Sequence, residues 1–242
     1  MNNKQILKEA NRVLTVEKKG IASLSKTFNL KFIKLIKEIV NIKGRVIITG
    51  IGKSGHIAKK ISATLSSTGT PSFFLHPAEA GHGDLGMVGR GDCIMALSNS
   101  GGTSELNTII NYSKRFNIPL FGITSNANSL LHKKATIGLL LNKSIEACSL
   151  NLAPTTSTSM MLILGDAIAL TLLKIRGFNI EDFKIIHPKG NIGKDLTKVS
   201  EIMHTGNKLP LIRENTLMDK AIIMMTKKSF GCLGIISNKE KL

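Results

Sequence analysis

Six consecutive residues, Ser98-Asn99-Ser100-Gly101-Gly102-Thr103, combine three hydroxyls with two adjacent glycines. Glycines let a backbone turn tightly and approach a ligand. Hydroxyls and the N–H groups of a starting helix can then cradle a phosphate without a cation. An ordinary polar helix cap uses the same residue types. The density of hydroxyls and glycines favours a terminal phosphate monoester held by Ser98, Ser100, Gly101, Gly102 and Thr103. A second turn, Gly50-Ile51-Gly52-Lys53-Ser54-Gly55, fits the pattern G-x-G-x-x-G. A dinucleotide site needs an acidic residue at the end of the following strand, yet Leu75 is followed by His76-Pro77 and Glu79 comes late. A P-loop would need glycine where Ile47 stands. What remains is a tight strand-to-helix turn that sets Lys53 beside an anion.

Two histidines and two acids, His76, Glu79, His82 and Asp84, fall within nine residues. They could bind metal or move protons, or the histidines could be satisfied loop residues. Glu146 precedes Leu152-Ala153-Pro154-Thr155-Thr156-Ser157-Thr158, a hydroxyl-rich helix start, and His187 opens the loop His187-Pro188-Lys189-Gly190.

Five short apolar runs separate these loops: 46–49, 72–75, 93–97, 120–123 and 137–141. Nearly continuous apolar strands are those buried on both faces, as in a parallel sheet. Between them Ile57, Ile61 and Leu65, then Leu106, Ile109, Ile110 and Phe116, recur with helical spacing. Alternation of strand and helix predicts an α/β doubly wound fold with a parallel five-stranded sheet, whose ligands sit beyond the carboxyl ends of the strands. Residues 5–42 read as two further helices, and Thr156 to Arg176 as another that Gly177 ends. From Lys198 the pattern changes to a small separate unit. It holds Pro210-Leu211-Ile212, a helix from Thr216 to Lys228, an apolar run from Cys232 to Ile236, and a turn at 237–239.

The net charge of +17 over 242 residues invites a nucleic-acid reading. The lysines are scattered, arginine is scarce, and no basic-aromatic interleaving occurs, so a solvated basic surface and no nucleic-acid partner are expected. No run of about 18 apolar residues appears and the N-terminus has no signal-peptide segment, so no membrane partner is expected. Cys93, Cys148 and Cys232 form neither a C-x-x-C pair nor a disulfide framework, which points to a reducing cytoplasm.

Taken in order, Gly50 to His56, His76 to Ala80, His82 to Gly86, Ser98 to Gly102, Leu152 to Thr158, Gly165-Asp166-Ala167, Arg176-Gly177-Phe178 and His187-Pro188 resemble the sugar isomerase (SIS) domain family, in its arabinose 5-phosphate isomerase branch. The resemblance assigns residues 1–197 to a SIS domain. Residues 198–242 resemble the opening of a CBS pair, with the chain ending inside the first CBS unit. It implies aldose–ketose isomerisation of D-arabinose 5-phosphate and D-ribulose 5-phosphate, a step toward the eight-carbon acid sugar of lipopolysaccharide. No cofactor is required, and a homotetramer with shared sites is implied. The family's catalytic positions fall on Lys53, Glu105, Glu146 and His187. Glu146 is the favoured base and Glu105, expected one turn into its helix, the lesser candidate. Lys53 faces the enediolate or the phosphate. His187 moves a hydroxyl proton or opens the ring, within this chain or at a neighbouring subunit's site. Gly69, Thr70 and His82 would touch substrate, and His76 would do so or hold an inhibitory zinc. Two other readings stay open: a phosphosugar-sensing SIS regulator, and an isomerase for another ketose phosphate.

Overall fold

The apolar runs form strands β1 (Val46–Gly50), β2 (Ser72–Leu75), β3 (Cys93–Leu97), β4 (Leu120–Thr124) and β5 (Ile137–Leu140) in one sheet of order β2-β1-β3-β4-β5. All four pairings are parallel, with Gly50 opposite Leu97 and Leu97 opposite Ile123. In this computed structural model residues 1–187 and 197–237 are described. Pro188, Lys189 and the last two residues of the 237–239 turn lie outside them.

Side chains alternate between the two faces of a strand, and the core divides accordingly. Val46, Ile48, Cys93, Met95 and Leu97 pack with helices α2 (Leu30–Asn41), α3 (Gly52–Ser67) and α7 (Thr156–Arg176). Ile47, Ile94 and Ala96 pack with α5 (Leu106–Phe116) and with Leu131 of the short α6 (Leu130–Lys134). The result is a three-layer α/β/α sandwich, wound both ways from β1. Helix α1 (Asn3–Ala22) begins with a capping box between Asn2 and Gln5 and packs along α7.

Helix α7 follows the expected limits, and Gly177 ends it in the left-handed conformation at φ 66°. By length and composition it is long and apolar enough to cross a membrane, although polar residues interrupt it and no unbroken run of about 18 apolar residues occurs. Its residues Met160, Met161, Leu164, Ile168 and Leu172 are buried in the core instead. Close packing with α3 depends on Gly165, where a Cβ would lie 2.3 Å from Ile61 Cγ1. The short helices α4 (Pro77–Ala80), α6 and α8 (Ile180–Ile186) carry too few residues for periodicity to reveal them.

The chain divides into two compact units, Met1–His187 and Pro188–Leu242. In the second, strands β6 (Leu211–Arg213) and β7 (Gly234–Ile236) pair in parallel around the helix Met218–Lys228. That helix starts two residues later than the sequence pattern suggests.

At the amino-terminal edge of the sheet, the buried Asp92 carboxylate accepts the amides of Arg45 (2.6 Å) and Gly89 (2.8 Å) and the Arg45 guanidinium (3.2 Å). Burial opposes its ionisation, but these donors outweigh burial and hold the carboxyl below its ordinary value. Asp92→Asn places an amide against the Gly89 N–H. It should cost about 2 kcal/mol in urea unfolding at pH 7. A group with a depressed folded pKa stabilises fully above its unfolded value and loses that contribution as pH falls through the folded one. The gap between wild type and variant should therefore close below about pH 4. A pH-independent gap would show that the carboxylate charge is irrelevant.

Candidate active site

Because the strands are parallel, the loops after β1, β3, β4 and β5 share one edge. Strand order reverses between β1 and β3, the switch point where open α/β sheets bind ligands. The pairing of Gly50 with Leu97 sets Ile51–Lys53 next to Ser98–Asn99. Gly52 adopts φ 58°, and a Cβ on Gly55 would stand 2.6 Å from the Gly50 carbonyl oxygen, so the turn into α3 is tight. Lys53 lies exposed on the first turn of α3.

The Ser98–Thr103 loop is held from within and from behind. The Ser98 and Thr103 hydroxyls lie 2.9 Å apart, and the Gly101 amide donates to Ser98 Oγ at 3.0 Å. The Thr124 and Ser125 hydroxyls, at the end of β4, both donate to the Asn99 carbonyl at 3.0 and 2.9 Å. Gly101 sits at φ 64°, and a Cβ there would approach Ser129 Oγ to 2.2 Å and Thr124 Oγ1 to 2.7 Å. Gly102 faces open space. Gly101 thus serves packing and backbone conformation, while Ser100 and Gly102 stay exposed.

Glu146, in the connection after β5, is 9 % exposed. Its Oε2 accepts the Thr155 amide (2.8 Å), the Thr155 hydroxyl (3.1 Å) and the Ser157 amide (3.2 Å) at the start of α7. Burial pushes the carboxyl up. Ser157 and Thr155 together outweigh it and hold the group ionised, below its ordinary value. From α1, Arg12 Nη2 donates to the Ala147 carbonyl (2.5 Å), and Glu17 accepts from Ser159 (2.9 Å).

Glu105 is the residue preceding α5, not one turn inside it. It is exposed, and its own amide and the Ser104 hydroxyl (2.8 Å to Oε2) lower its pKa. His76 and His82 are exposed beyond β2, with His76 Nδ1 accepting the Ala78 amide at 3.3 Å. Among the described residues no three His, Cys, Asp or Glu side chains are grouped to hold a metal. Gly69 and Thr70 precede β2 and so lie at the opposite edge of the sheet, where Gly69 borders a cleft of about 390 Å³ that Phe178, Ile185 and Ile186 also line. His187 ends α8 and stacks on Phe183, with ring centroids 4.0 Å apart. Within one chain, Gly69, Thr70 and His187 are therefore apart from the Ser98–Thr103 loop.

Sequence reasoning passed over Ser125, Asn126 and Lys143, which line a cleft of about 380 Å³ together with Asn99 and Ser100. The loop after β4 lies at the same carboxyl edge as the others. Lys143 was hidden by the abundance of lysine.

Residues 38–171 match the SIS domain family model. The chain is 45% identical over 241 residues to the arabinose 5-phosphate isomerase KdsD of Pseudomonas aeruginosa, covering 99% of this chain and 74% of that protein. It is 44% identical over 220 residues to KdsD of Escherichia coli K12, covering 90% and 67%. A solved structure from E. coli CFT073, in complex with arabinose 5-phosphate, superposes with TM-score 0.75 at 37% identity, over 78% of this chain and 100% of that one. The doubly wound sheet, its loops and these likenesses agree, and the chain belongs to the SIS domain family.

Proposed function

We propose that this chain is an isomerase that interconverts D-arabinose 5-phosphate and D-ribulose 5-phosphate through an enediolate. The observation that carries the reading is the gathering of a rigid hydroxyl-rich loop, Lys53 and an ionised Glu146 carboxylate at one edge of the sheet. The KdsD relatives act by name on arabinose 5-phosphate, which supports the pentose phosphate as substrate.

The Ser98–Thr103 loop anchors the terminal phosphate, and that remote binding fixes the reacting carbons. Glu146 removes the C2 proton of the open-chain aldose. The C2–H electrons form the C1=C2 bond, and the carbonyl electrons move onto O1. Lys53 faces that developing oxyanion. The O2 proton passes to O1, the carbonyl re-forms at C2, and Glu146 returns its proton to C1. Glu105, exposed and bound to Ser104, is the lesser candidate for base. His187 serves ring opening or the hydroxyl proton at the site of a neighbouring copy, since it stands at the other edge of its own sheet. A homotetramer with shared sites accommodates this. Exposed Ile6, Leu7, Leu14, Leu150 and Leu152 supply apolar surface for such contacts. Gly69, Thr70, His76 and His82 complete the substrate contacts in the same assembly, and His76 is the position for an inhibitory zinc. Free Cys93, Cys148 and Cys232 support a cytoplasmic setting, where the product feeds lipopolysaccharide synthesis. The β6–helix–β7 unit supports reading residues 198–242 as part of a CBS domain.

Glu146→Gln should lower turnover about 10²–10⁴-fold and abolish deuterium incorporation from solvent at C2 of the aldose, followed by proton NMR. Near wild-type exchange at C2 would remove Glu146 from the role of base. Gly101→Ala should cost about 1–3 kcal/mol of stability through overpacking. It should also raise KM about tenfold, the equivalent of ~1.4 kcal/mol. A folded variant with unchanged KM would take the phosphate away from this loop.

A further inference from the structure

We propose that Thr155 is the positioning residue of this site: its hydroxyl and amide lock Oε2 of the Glu146 carboxylate, so that proton transfer runs on Oε1 alone. The inference rests on the isomerase reading, with Glu146 as base.

Three donors converge on Oε2, and Thr155 supplies two of them. The Thr155 hydroxyl also accepts the Ala147 amide at 2.8 Å. An amide can only donate, so that contact occupies a lone pair of Oγ1 and leaves the hydroxyl proton directed at Oε2. Thr155 stands at the N-cap of α7 but makes no side-chain cap of its own. The Glu146 carboxylate caps the helix in its place. The main chain of Glu146 is fixed as well, because its amide donates to Asn151 Oδ1 at 2.8 Å, and Asn151 holds φ 53° to make the turn. The carboxylate is thus held at both ends. Among the described residues no hydrogen bond of ordinary geometry reaches Oε1, although the buried Ser157 hydroxyl also favours the ionised carboxylate. A proton taken from C2 goes to the oxygen whose lone pairs are free, and from Oε1 the same proton reaches C1 without rotation of the carboxylate.

The test compares Thr155→Val, close in shape but without the hydroxyl, with Thr155→Ser, which keeps it, in steady-state isomerisation across pH. For Thr155→Val, kcat should fall about tenfold with KM within twofold, since a loosened base loses alignment while phosphate binding persists. Removing a donor to the charged form raises the carboxyl pKa, so the acid limb of the kcat profile should move to higher pH. Thr155→Ser should restore both kcat and the limb. If Thr155→Val does not fold, Thr155→Ala makes the same deletion and carries the same expectation. A Thr155→Val profile that superimposes on wild type, or a Thr155→Ser variant as impaired as Thr155→Val, overturns the proposal. The base assignment fails separately: it falls if Glu146→Gln keeps C2 exchange, whereas an inactive Glu146→Gln beside an unshifted Thr155→Val profile removes the positioning role alone.

Discussion

In a parallel sheet no two successive strands can be joined by a tight turn, so each connection must cross a face, and every strand delivers its carboxyl end to the same edge. Here that constraint holds for all four connections of the sheet β2-β1-β3-β4-β5. It brings Lys53, the Ser98–Thr103 loop, Ser125-Asn126 and the Lys143–Glu146 segment to one side, though they are far apart along the chain. It also determines what cannot be there. Gly69 and Thr70 follow a helix and enter a strand, so the same geometry sends them to the far edge.

The Ser98–Thr103 loop and the carboxylate are stabilised in different ways. The loop is backed by β4: Thr124 and Ser125 hold the Asn99 carbonyl, and Gly101 fits where a Cβ would strike Ser129. A preformed loop of this kind loses little entropy when an anion binds. Glu146 is the costlier group, because a carboxylate nine-tenths buried must replace its water. The start of α7 provides that replacement through orphan amides and the positive end of the helix dipole. Burial and helix capping thus hold each other in place: the carboxylate completes the helix, and the helix keeps the carboxylate charged.

Much of the fold was legible because burial on both sheet faces writes itself as unbroken apolar runs. Strands at 46, 72, 93, 120 and 137 begin where those runs do. Helix α7 was legible at both ends, through its hydroxyl-rich start and Gly177. The candidate site was legible where glycine and hydroxyl density marks a loop, and obscure where a common residue takes its place only from the fold. Lys143 is one lysine among many, and Thr155 one hydroxyl among five in Thr155–Ser159. Glu105 was misplaced by a turn because the apolar periodicity of α5 begins at Leu106, while the turn through Ser104 that precedes it has no such signature.

Exposure of the polar groups decides how the site can work. An enediolate gains from a nearby cation in inverse proportion to the effective dielectric, so Lys53 in open water contributes far less than the same ammonium beneath a bound sugar. In one chain Lys53, Glu105, His76 and His82 all face solvent, while Gly69 and Thr70 lie at the opposite edge and His187 follows Ile186, which lines the cleft beside Gly69. Two half-sites on opposite edges of one sheet are what copies of a chain need in order to complete each other, the far edge of one covering the open edge of the next. Closure would then come from assembly, and the anchored carboxylate fits that arrangement: Glu146 is set by its own helix before any neighbour arrives. In the proposed assembly the neighbour's part would be to exclude water and bring the second proton-transfer group.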